Sequence, residues 1–269
     1  MTKKTQIMGV LNVTPDSFYD GGRYQSPDAA REHAEAMVRD GADWIDAGAE
    51  SSRPGAAPIG VDEELRRLVP ALEALSGLPV AISVDTYRAE TARRALTLGA
   101  TMVNDITALQ GDPDMAAVVA EAGCACVLMH MQGSPETMQQ RPKYEDVVSD
   151  ISAFFEERMA FALAGGIREE NIWLDPGFGF GKTVNHNLEI LRRLPEFKRF
   201  GRPLLVGTSN KSSLGAVLGG GSGDRTEGTA ATVAVAAWLG ADAVRVHDVA
   251  FMAKVARMTD AVRDGVETI

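Results

Sequence analysis

The sequence predicts an α/β fold, a single-domain (β/α)8 TIM barrel over residues 1–269. Short apolar runs of β-type residues alternate with longer segments of helical period, which is typical of βα units that build a parallel sheet. Eight such runs occur, and no linker or low-complexity tract interrupts them. A chain of 269 residues, 45% of them hydrophobic, also has the usual size of one barrel. These observations favour a closed barrel over an open doubly wound sheet.

The predicted strands are the eight apolar runs. In chain order they are Ile7–Asn12, Ala42–Gly48, Val80–Asp85, Met102–Ile106, Ala125–His130, Ile172–Gly177, Leu204–Ser209 and Ala243–Asp248. The only cysteines, Cys124 and Cys126, lie at the fifth run. Their C-x-C spacing fits neither a disulfide framework nor the usual zinc sites, so we expect them in the core.

Helix boundaries are readable between the strands. Ser26-Pro27-Asp28 predicts a helix start with proline at the first helical position, and Gly41 predicts its end. Asp112-Pro113-Asp114 predicts a later start of the same kind. The second helix has an apolar stripe, formed by Leu65, Leu68, Leu72 and Leu75. The apolar window Thr229–Leu239 is too short to span a bilayer and is interpreted as a buried helix.

Charge and composition argue against several classes of partner. The formal charge is −10, the pI is about 5.0 and no run of Lys or Arg occurs, so we expect no binding to nucleic acid or to an anionic membrane. The positive start Met1–Lys4 is followed by an apolar stretch that Asn12, Pro15 and Asp16 interrupt before a signal peptide could form. We therefore expect a cytoplasmic protein.

Polar residues end nearly every predicted strand. They are Asn12, Asp46, Asp85, Asn104 with Asp105, His130, Asp175, Ser209, and Arg245 with His247. In a parallel barrel all the carboxyl ends open on one face, so these side chains should converge on a site. The alternative is that each one caps the helix that follows. We expect a purely structural role for Asp46, because the Gly48–Glu50 turn follows it.

Two groups of these residues suggest a ligand. Asp85, Asn104, Asp175 and Lys211 suit a flat heterocycle such as a pterin, whose 2-amino and N3–H groups can donate two parallel bonds to a carboxylate while its 4-oxo group accepts from an ammonium. Asn12, Arg53, Arg245 and His247 form a second group, which could bind an anion near strands 7 and 8. An ordinary salt bridge is the alternative for Arg245.

The glycine-rich segment Gly177–Lys182 lacks the spacing of a phosphate loop. We interpret it as a turn that brings Phe180 toward the pocket. Two other polar segments, Thr14–Tyr24 and Ser51–Gly60, contain Gly and Pro and lack periodicity. They are therefore predicted to be mobile loops at the same mouth of the barrel.

At these residues the sequence closely resembles the dihydropteroate synthase family over nearly its whole length. The matching blocks are Ile7–Phe18, Glu50–Gly55, Ser83–Thr86, Val103–Ile106, Met129–Gly133, Asp175–Lys182 and Arg245–Val249. The resemblance implies a transferase that condenses 6-hydroxymethyl-7,8-dihydropterin diphosphate with p-aminobenzoate. It also implies a homodimer and a target of sulfonamides, which imitate p-aminobenzoate.

The resemblance also assigns site residues. It implies that Asp85, Asn104, Asp175 and Lys211 bind the pterin, and that Asn12, Arg245 and His247 bind the diphosphate, with Mg²⁺ near Asn12. The residues implied for p-aminobenzoate are Phe18, Ser52, Arg53, Pro54, Phe180 and Ser209. The implied catalytic residues are Asp20, which would stabilise a cationic pterin, together with Lys211, Arg245 and His247.

Two departures from the family pattern leave alternatives open. Asn210 stands where the family usually has Arg, and Ala49 and Ser52 replace a usual Gly and Thr. One alternative is a pterin-binding methyltransferase domain that passes a methyl group to a corrinoid, although such a domain has no need of Arg53-Pro54 or the diphosphate residues. The other is a catalytically silent paralogue that acts as a binding protein.

Overall fold

The computed structural model describes residues 4–14, 27–51, 56–219 and 225–266. Its eight strands are parallel and belong to one sheet. They are β1 (Gln6–Asn12), β2 (Trp44–Gly48), β3 (Ala81–Asp85), β4 (Met102–Asp105), β5 (Ala125–Met129), β6 (Ile172–Asp175), β7 (Leu205–Val206) and β8 (Ala243–Val246). Every predicted strand is therefore present.

The sheet forms a nearly closed barrel, which confirms the predicted fold class. Its strand order is β6-β5-β4-β3-β2-β1-β8-β7, so β1 pairs with β8. Between β6 and β7 the pairing is reduced to a bridge of Leu174 with Leu204, beside which the Leu174 N–H donates to the Pro203 carbonyl at 2.9 Å. We call this junction the β6–β7 seam.

Helices alternate with the strands around the barrel. They are α1 (Pro27–Asp40), α2 (Val61–Leu75), α3 (Ala89–Thr97), α4 (Met115–Ala122), α5 (Val147–Ala164), α6 (Val184–Arg192), α7 (Ser212–Leu218), α8 (Thr226–Trp238) and α9 (Val249–Asp264). Short 3-10 helices cover Glu169–Asn171 and Leu194–Phe200. The connection from β7 to β8 thus holds two helices, α7 and α8.

The predicted start and end of α1 are confirmed. The helix begins at Pro27, and Gly41 follows it with φ +101°, a left-handed conformation that suits glycine. The prediction at Asp112 is wrong in detail, because α4 begins at Met115. The Asp112 carboxylate instead accepts from the Asp114 N–H at 3.0 Å and from the Ala89 N–H, at the start of α3, at 2.9 Å.

The prediction of a buried helix at Thr229–Leu239 holds for only one face of α8. Val233 and Ala236 are buried, but Trp238 is 52% exposed and Val235 is 43% exposed. One face of the helix packs on the barrel, and the other is apolar and exposed. No helix in the described ranges has the length and apolar character needed to cross a membrane.

An apolar plug fills the amino-terminal half of the barrel. Its residues come from five strands, which can meet only inside: Met8, Met102, Val127, Leu205 and Ala243. A larger core lies between the sheet and the helices. It includes Cys126, and both cysteines are buried and free, which confirms their core role.

Candidate active site

A polar layer lies above the apolar plug. Successive side chains of a strand alternate between the two faces of the sheet, so a residue two positions after an inward residue also points inward. Asn104 follows the inward Met102 in this way, and Arg245 follows Ala243. The polar layer consists of Asp46, Asp85, Asn104, Asp175 and Arg245.

Arg245 joins two carboxylates of this layer. Its Nε donates to Asp46 Oδ2 at 2.6 Å, and its Nη2 donates to Asp85 Oδ2 at 2.7 Å. Asn104 Nδ2 donates to the same oxygen of Asp46 at 3.1 Å. Asp46 is fully buried. It therefore holds two predicted ligand-binding residues in place. This role is structural, as expected, but it acts through Arg245 and Asn104 rather than through the turn that follows.

Charge and burial compete in the polar layer. Burial raises the pKa of Asp175 to about 6, and the Gly177 N–H and the cation of Lys211 oppose that rise. Burial raises the pKa of Asp85 as well, and Arg245 opposes it. Burial lowers the pKa of Lys211 to about 8, with a further contribution from Arg245. These four residues lie close enough to affect one another, as the sequence predicted.

Lys211 and Phe180 meet across the β6–β7 seam. The Lys211 Nζ lies 3.9 Å from the centroid of the Phe180 ring, a cation–π contact. The stem of Lys211 passes so close to Gly179 that an added Cβ would lie 2.8 Å from Lys211 Cδ. The glycine-rich turn therefore brings Phe180 toward the predicted site, and glycine is needed there for the close approach.

An apolar cavity of about 380 Å³ adjoins this turn. It lies among the loops after β2, β3, β4 and β5, where Tyr87, Ile106 and Met129 contribute to its wall. Ile106 and Met129 also pack with Phe180. Among the described residues, its lining includes neither Lys211 nor any member of the polar layer, so the cavity lies beside the polar layer rather than within it.

Ser209 and His247 form a pair at the ends of β7 and β8. Ser209 Oγ lies 2.9 Å from His247 Nδ1, and it accepts from the His247 backbone N–H at 3.3 Å. The hydroxyl has a second lone pair, so the direction of its contact with Nδ1 depends on the His247 tautomer. In the tautomer in which Ser209 donates to Nδ1, the ring proton of a neutral His247 lies on Nε2, where it can serve as a donor. The family resemblance assigns these two residues to different substrates.

Asn210 adopts φ +58°, in the left-handed region that Asn tolerates better than Arg does. Its carbonyl accepts from Arg225 Nη1 at 2.7 Å. The departure from the family pattern at this position therefore suits the local backbone.

Not every polar strand end belongs to the site. Asp105 follows Asn104 directly and so points to the opposite face of the sheet. Its carboxylate accepts from the N–H groups of Thr107, at 2.7 Å, and Leu109, at 2.8 Å. Asp105 thus stabilises the turn after β4 and does not cap the helix that follows, which was the alternative for such residues, because α4 begins only at Met115. His130 is also buried, where it contacts Lys182, a residue that no sequence pattern marks as functional.

The predicted metal position offers one oxygen ligand. Asn12 ends β1 beside Gly48 of β2. Within the described residues, no group of three or more His, Cys, Asp or Glu side chains could hold a metal ion. Mg²⁺ often binds proteins through one or two side-chain oxygens and completes its shell with substrate phosphates and water. Asn12 fits an ion that a diphosphate would bring with it.

Five predicted site residues lie outside the described residues. They are Phe18, Asp20, Ser52, Arg53 and Pro54.

Comparison with known proteins places this site in a family. A family model described as pterin binding enzyme matches residues 8–247. Dihydropteroate synthase of Escherichia coli K12 is 46% identical over 256 residues, which are 95% of this chain and 90% of that protein.

Solved structures agree with this assignment. A Yersinia pestis dihydropteroate synthase in a sulfonamide drug complex has a TM-score of 0.92 at 43% identity, with 98% of this chain and 96% of that chain covered. A Xanthomonas albilineans dihydropteroate synthase with 4-aminobenzoic acid has a TM-score of 0.90 at 38% identity, with 98% and 94% covered. The chain therefore belongs to the pterin-binding enzymes and, among them, to the dihydropteroate synthase family.

Proposed function

We propose that the protein condenses 6-hydroxymethyl-7,8-dihydropterin diphosphate with p-aminobenzoate to give 7,8-dihydropteroate and diphosphate. The observation that carries the proposal is the polar layer, which gathers carboxylates, an amide and a guanidinium at the mouth of the barrel, beside the Lys211 ammonium. The names of the relatives, and the ligands of the two related structures, agree with it. Family membership makes the protein a transferase.

The pterin ring is proposed to bind in the polar layer. Asp175 accepts from the 2-amino and N3–H groups, and Lys211 donates to the 4-oxo group. Asp85 and Asn104 contact the remaining polar edge. Arg245 Nη2 bonds Oδ2 of Asp85, and Oδ1 of the same carboxylate is the oxygen proposed to accept from the ring. Arg245 can remain attached to Asp46 through Nε and turn its other nitrogens toward the diphosphate.

The reaction is a substitution at the exocyclic methylene carbon of the pterin. The bond from this carbon to the diphosphate oxygen breaks, and the ring delocalises the positive charge. Arg245 and the Nε2–H of His247 stabilise the departing diphosphate, and Asn12 is the proposed ligand of Mg²⁺. When bound, Mg²⁺ would neutralise charge on the diphosphate.

The amine of p-aminobenzoate then forms the new carbon–nitrogen bond and releases a proton. An aryl amine is neutral at pH 7, so the step needs no strong base. Phe180 and Ser209, with Phe18, Ser52, Arg53 and Pro54, are the proposed p-aminobenzoate contacts, and Asp20 is the proposed neighbour of the cation. Sulfonamides are proposed to compete for the same contacts.

One assay tests the proposal and its alternatives. Purified protein is incubated with the pterin diphosphate, Mg²⁺ and labelled p-aminobenzoate, and labelled dihydropteroate is the expected product. A sulfonamide should raise the KM for p-aminobenzoate without changing kcat. A folded protein that binds the pterin but gives no product would be the silent paralogue. The corrinoid methyltransferase alternative has no support among the named relatives, which are synthases.

We propose further that the protein is a homodimer formed through α7, α8 and α9. Most of the exposed large apolar side chains among the described residues lie on these three consecutive helices. They are Val217, Leu218, Val235, Trp238, Phe251, Met258 and Val262. An apolar surface of this extent on adjacent helices suits a second copy of the chain, since symmetric dimers pair the same surface on both subunits.

Light scattering tests the dimer. Wild-type protein should have twice the mass of the 28.7 kDa chain. Val235→Lys should shift it toward one chain, whereas Leu163→Lys, on α5 and equally exposed at 44%, should leave it unchanged. A monomeric wild-type protein would overturn the proposal.

Two expectations on organisation and location complete the proposal. We propose that residues 1–269 form a single pterin-binding barrel domain. We also propose a cytoplasmic location. Two cysteines that are both free and buried agree with a reducing compartment.

A further inference from the structure

Lys182 lies buried behind the proposed pterin site. It is 3% exposed and ends the glycine-rich turn Gly177–Lys182. Its ammonium contacts three acceptors: the Phe180 carbonyl at 2.9 Å, the His130 carbonyl at 3.2 Å and His130 Nδ1 at 3.0 Å. An ammonium has three N–H groups, so these contacts use its full capacity. Its role is therefore to hold other parts of the protein rather than to bind a ligand itself.

Lys182 connects the end of β5 with the turn after β6. Gly177, at φ +67°, packs directly against the His130 carbonyl, which an added Cβ would approach to 1.9 Å. The N–H of Gly177 donates to Asp175 Oδ1 at 2.7 Å, and the His130 N–H donates to the Asp175 carbonyl at 2.9 Å. Lys182 thus binds the carbonyl against which Gly177 packs, and Gly177 is the donor to the Asp175 carboxylate.

The charge of Lys182 also acts on Asp175. Burial raises the pKa of Asp175 to about 6, and Lys182 is one of the cations that oppose this rise. Burial in turn lowers the pKa of Lys182 to about 7, and Asp175 opposes that change. The nearby His130 cannot supply the charge, because burial and Lys182 lower its pKa to about 2.

We infer that Lys182 is a positioning residue for pterin binding: it fixes the Gly177–Phe180 turn against His130 and favours the ionised, correctly oriented Asp175. The inference rests on the proposed function, in which Asp175 accepts two N–H groups of the pterin. It assigns a role to a lysine that touches neither substrate. The bond from Lys182 to the Phe180 carbonyl also holds the Phe180 side chain in its contact with Lys211.

The test measures the affinity for a pterin without diphosphate by calorimetry between pH 5 and 9. In wild-type protein the affinity should fall as the pH drops through about 6, where Asp175 becomes protonated. Lys182→Met should move this midpoint up by about one pH unit. That shift weakens binding about twofold at pH 7 and about tenfold at pH 5, where Asp175 is mostly protonated in both proteins, since one unit of pKa corresponds to a factor of ten. Lys143→Met, which removes an exposed lysine of the β5–α5 loop, is the matched control and should behave as wild type.

A second variant distinguishes the effect of the Lys182 charge from that of its hydrogen bonds. It also keeps the test possible if Lys182→Met does not fold. Lys182→Gln keeps two N–H donors without the charge, so it should bind better than Lys182→Met at pH 8 but show the same shifted midpoint. The KM for the pterin diphosphate should rise more than the KM for p-aminobenzoate. Folded variants with wild-type midpoint and affinity would overturn the inference. A wild-type protein that binds no pterin would instead overturn the proposed function.

Discussion

At the scale of single residues, the face of the strand decides what a buried carboxylate does. Asp105 and Asp175 both end strands and are almost fully buried. Both oxygens of Asp105 accept bonds within its own turn, because the side chain points toward the helices. Asp175 points into the barrel, where its neighbours are Lys211 and Arg245. Only the second arrangement leaves a carboxylate facing the mouth of the barrel.

We expect Asp175→Ala to abolish pterin binding. The loss of a buried charged acceptor should cost on the order of 2–5 kcal/mol of binding free energy. Calorimetry on a variant shown to be folded by circular dichroism measures the effect. Asp105→Asn is the control, which should lower the melting temperature but leave pterin affinity within about twofold. Unchanged affinity in the Asp175 variant would contradict the role given to that residue.

The residues of the polar layer could be predicted because position along a strand is a local property. Strand-end position identified Asp85, Asn104, Asp175 and Arg245 from the sequence alone. The partnership of Arg245 with Asp46 could not be predicted in the same way, because it joins residues 199 positions apart. The burial of Lys182 was equally invisible, since a lysine at the end of a turn is usually exposed.

At the scale of elements, the loop between β2 and α2 is anchored by an ionic cluster that the sequence did not suggest. Arg88 Nη2 donates to Glu50 at 2.7 Å, and Nη1 donates to Glu64 at 3.0 Å. Glu50 also accepts from the Ile59 N–H at 3.0 Å, which ties the two ends of the loop together. Glu64, in α2, is 1% exposed. The proposed p-aminobenzoate residues of this loop lie between the tied ends.

Removal of Arg88 should destabilise the protein strongly. Arg88→Met leaves the buried Glu64 without its cation, which typically costs roughly 3–5 kcal/mol of unfolding free energy. Urea denaturation followed by circular dichroism gives the change. Arg66→Met removes an exposed partner of Glu63 on the same helix and should leave the unfolding free energy almost unchanged. Equal losses in the two variants would contradict the anchoring role.

At the scale of the whole molecule, the two proposed substrates use different kinds of structure. The pterin contacts come mostly from the ends of strands, which the barrel holds in place, whereas most of the p-aminobenzoate contacts are assigned to loops. The sequence segments concerned are Thr14–Tyr24, which lies outside the described residues except for Thr14, and Ser51–Gly60, of which residues 52–55 lie outside them. Because the p-aminobenzoate contacts lie on loops, their arrangement should depend on whether the pterin diphosphate is already bound.

The protein should therefore bind p-aminobenzoate weakly when it is alone and tightly when diphosphate and Mg²⁺ are present. These ligands are expected to draw Asn12, Arg53 and their neighbours together. Titration with p-aminobenzoate or a sulfonamide, with and without both ligands, measures the difference. Equal affinity in the two conditions would move the aryl-amine site onto the barrel itself and leave Phe18 and Pro54 without their assigned role.

Barrel closure at the β6–β7 seam has a consequence for stability. The seam has a single bridge of strand pairing, so local opening should cost less there than elsewhere in the sheet, and its amides should exchange with solvent sooner. Asp175 lies on one side of this seam and Lys211 on the other. A pterin held by both residues would act as a cross-link between β6 and the loop after β7. The ligand would then supply part of the closure that the strand pairing lacks at the seam. Amide exchange in β6 and β7 should therefore slow when the pterin binds, also at residues that the ligand does not contact.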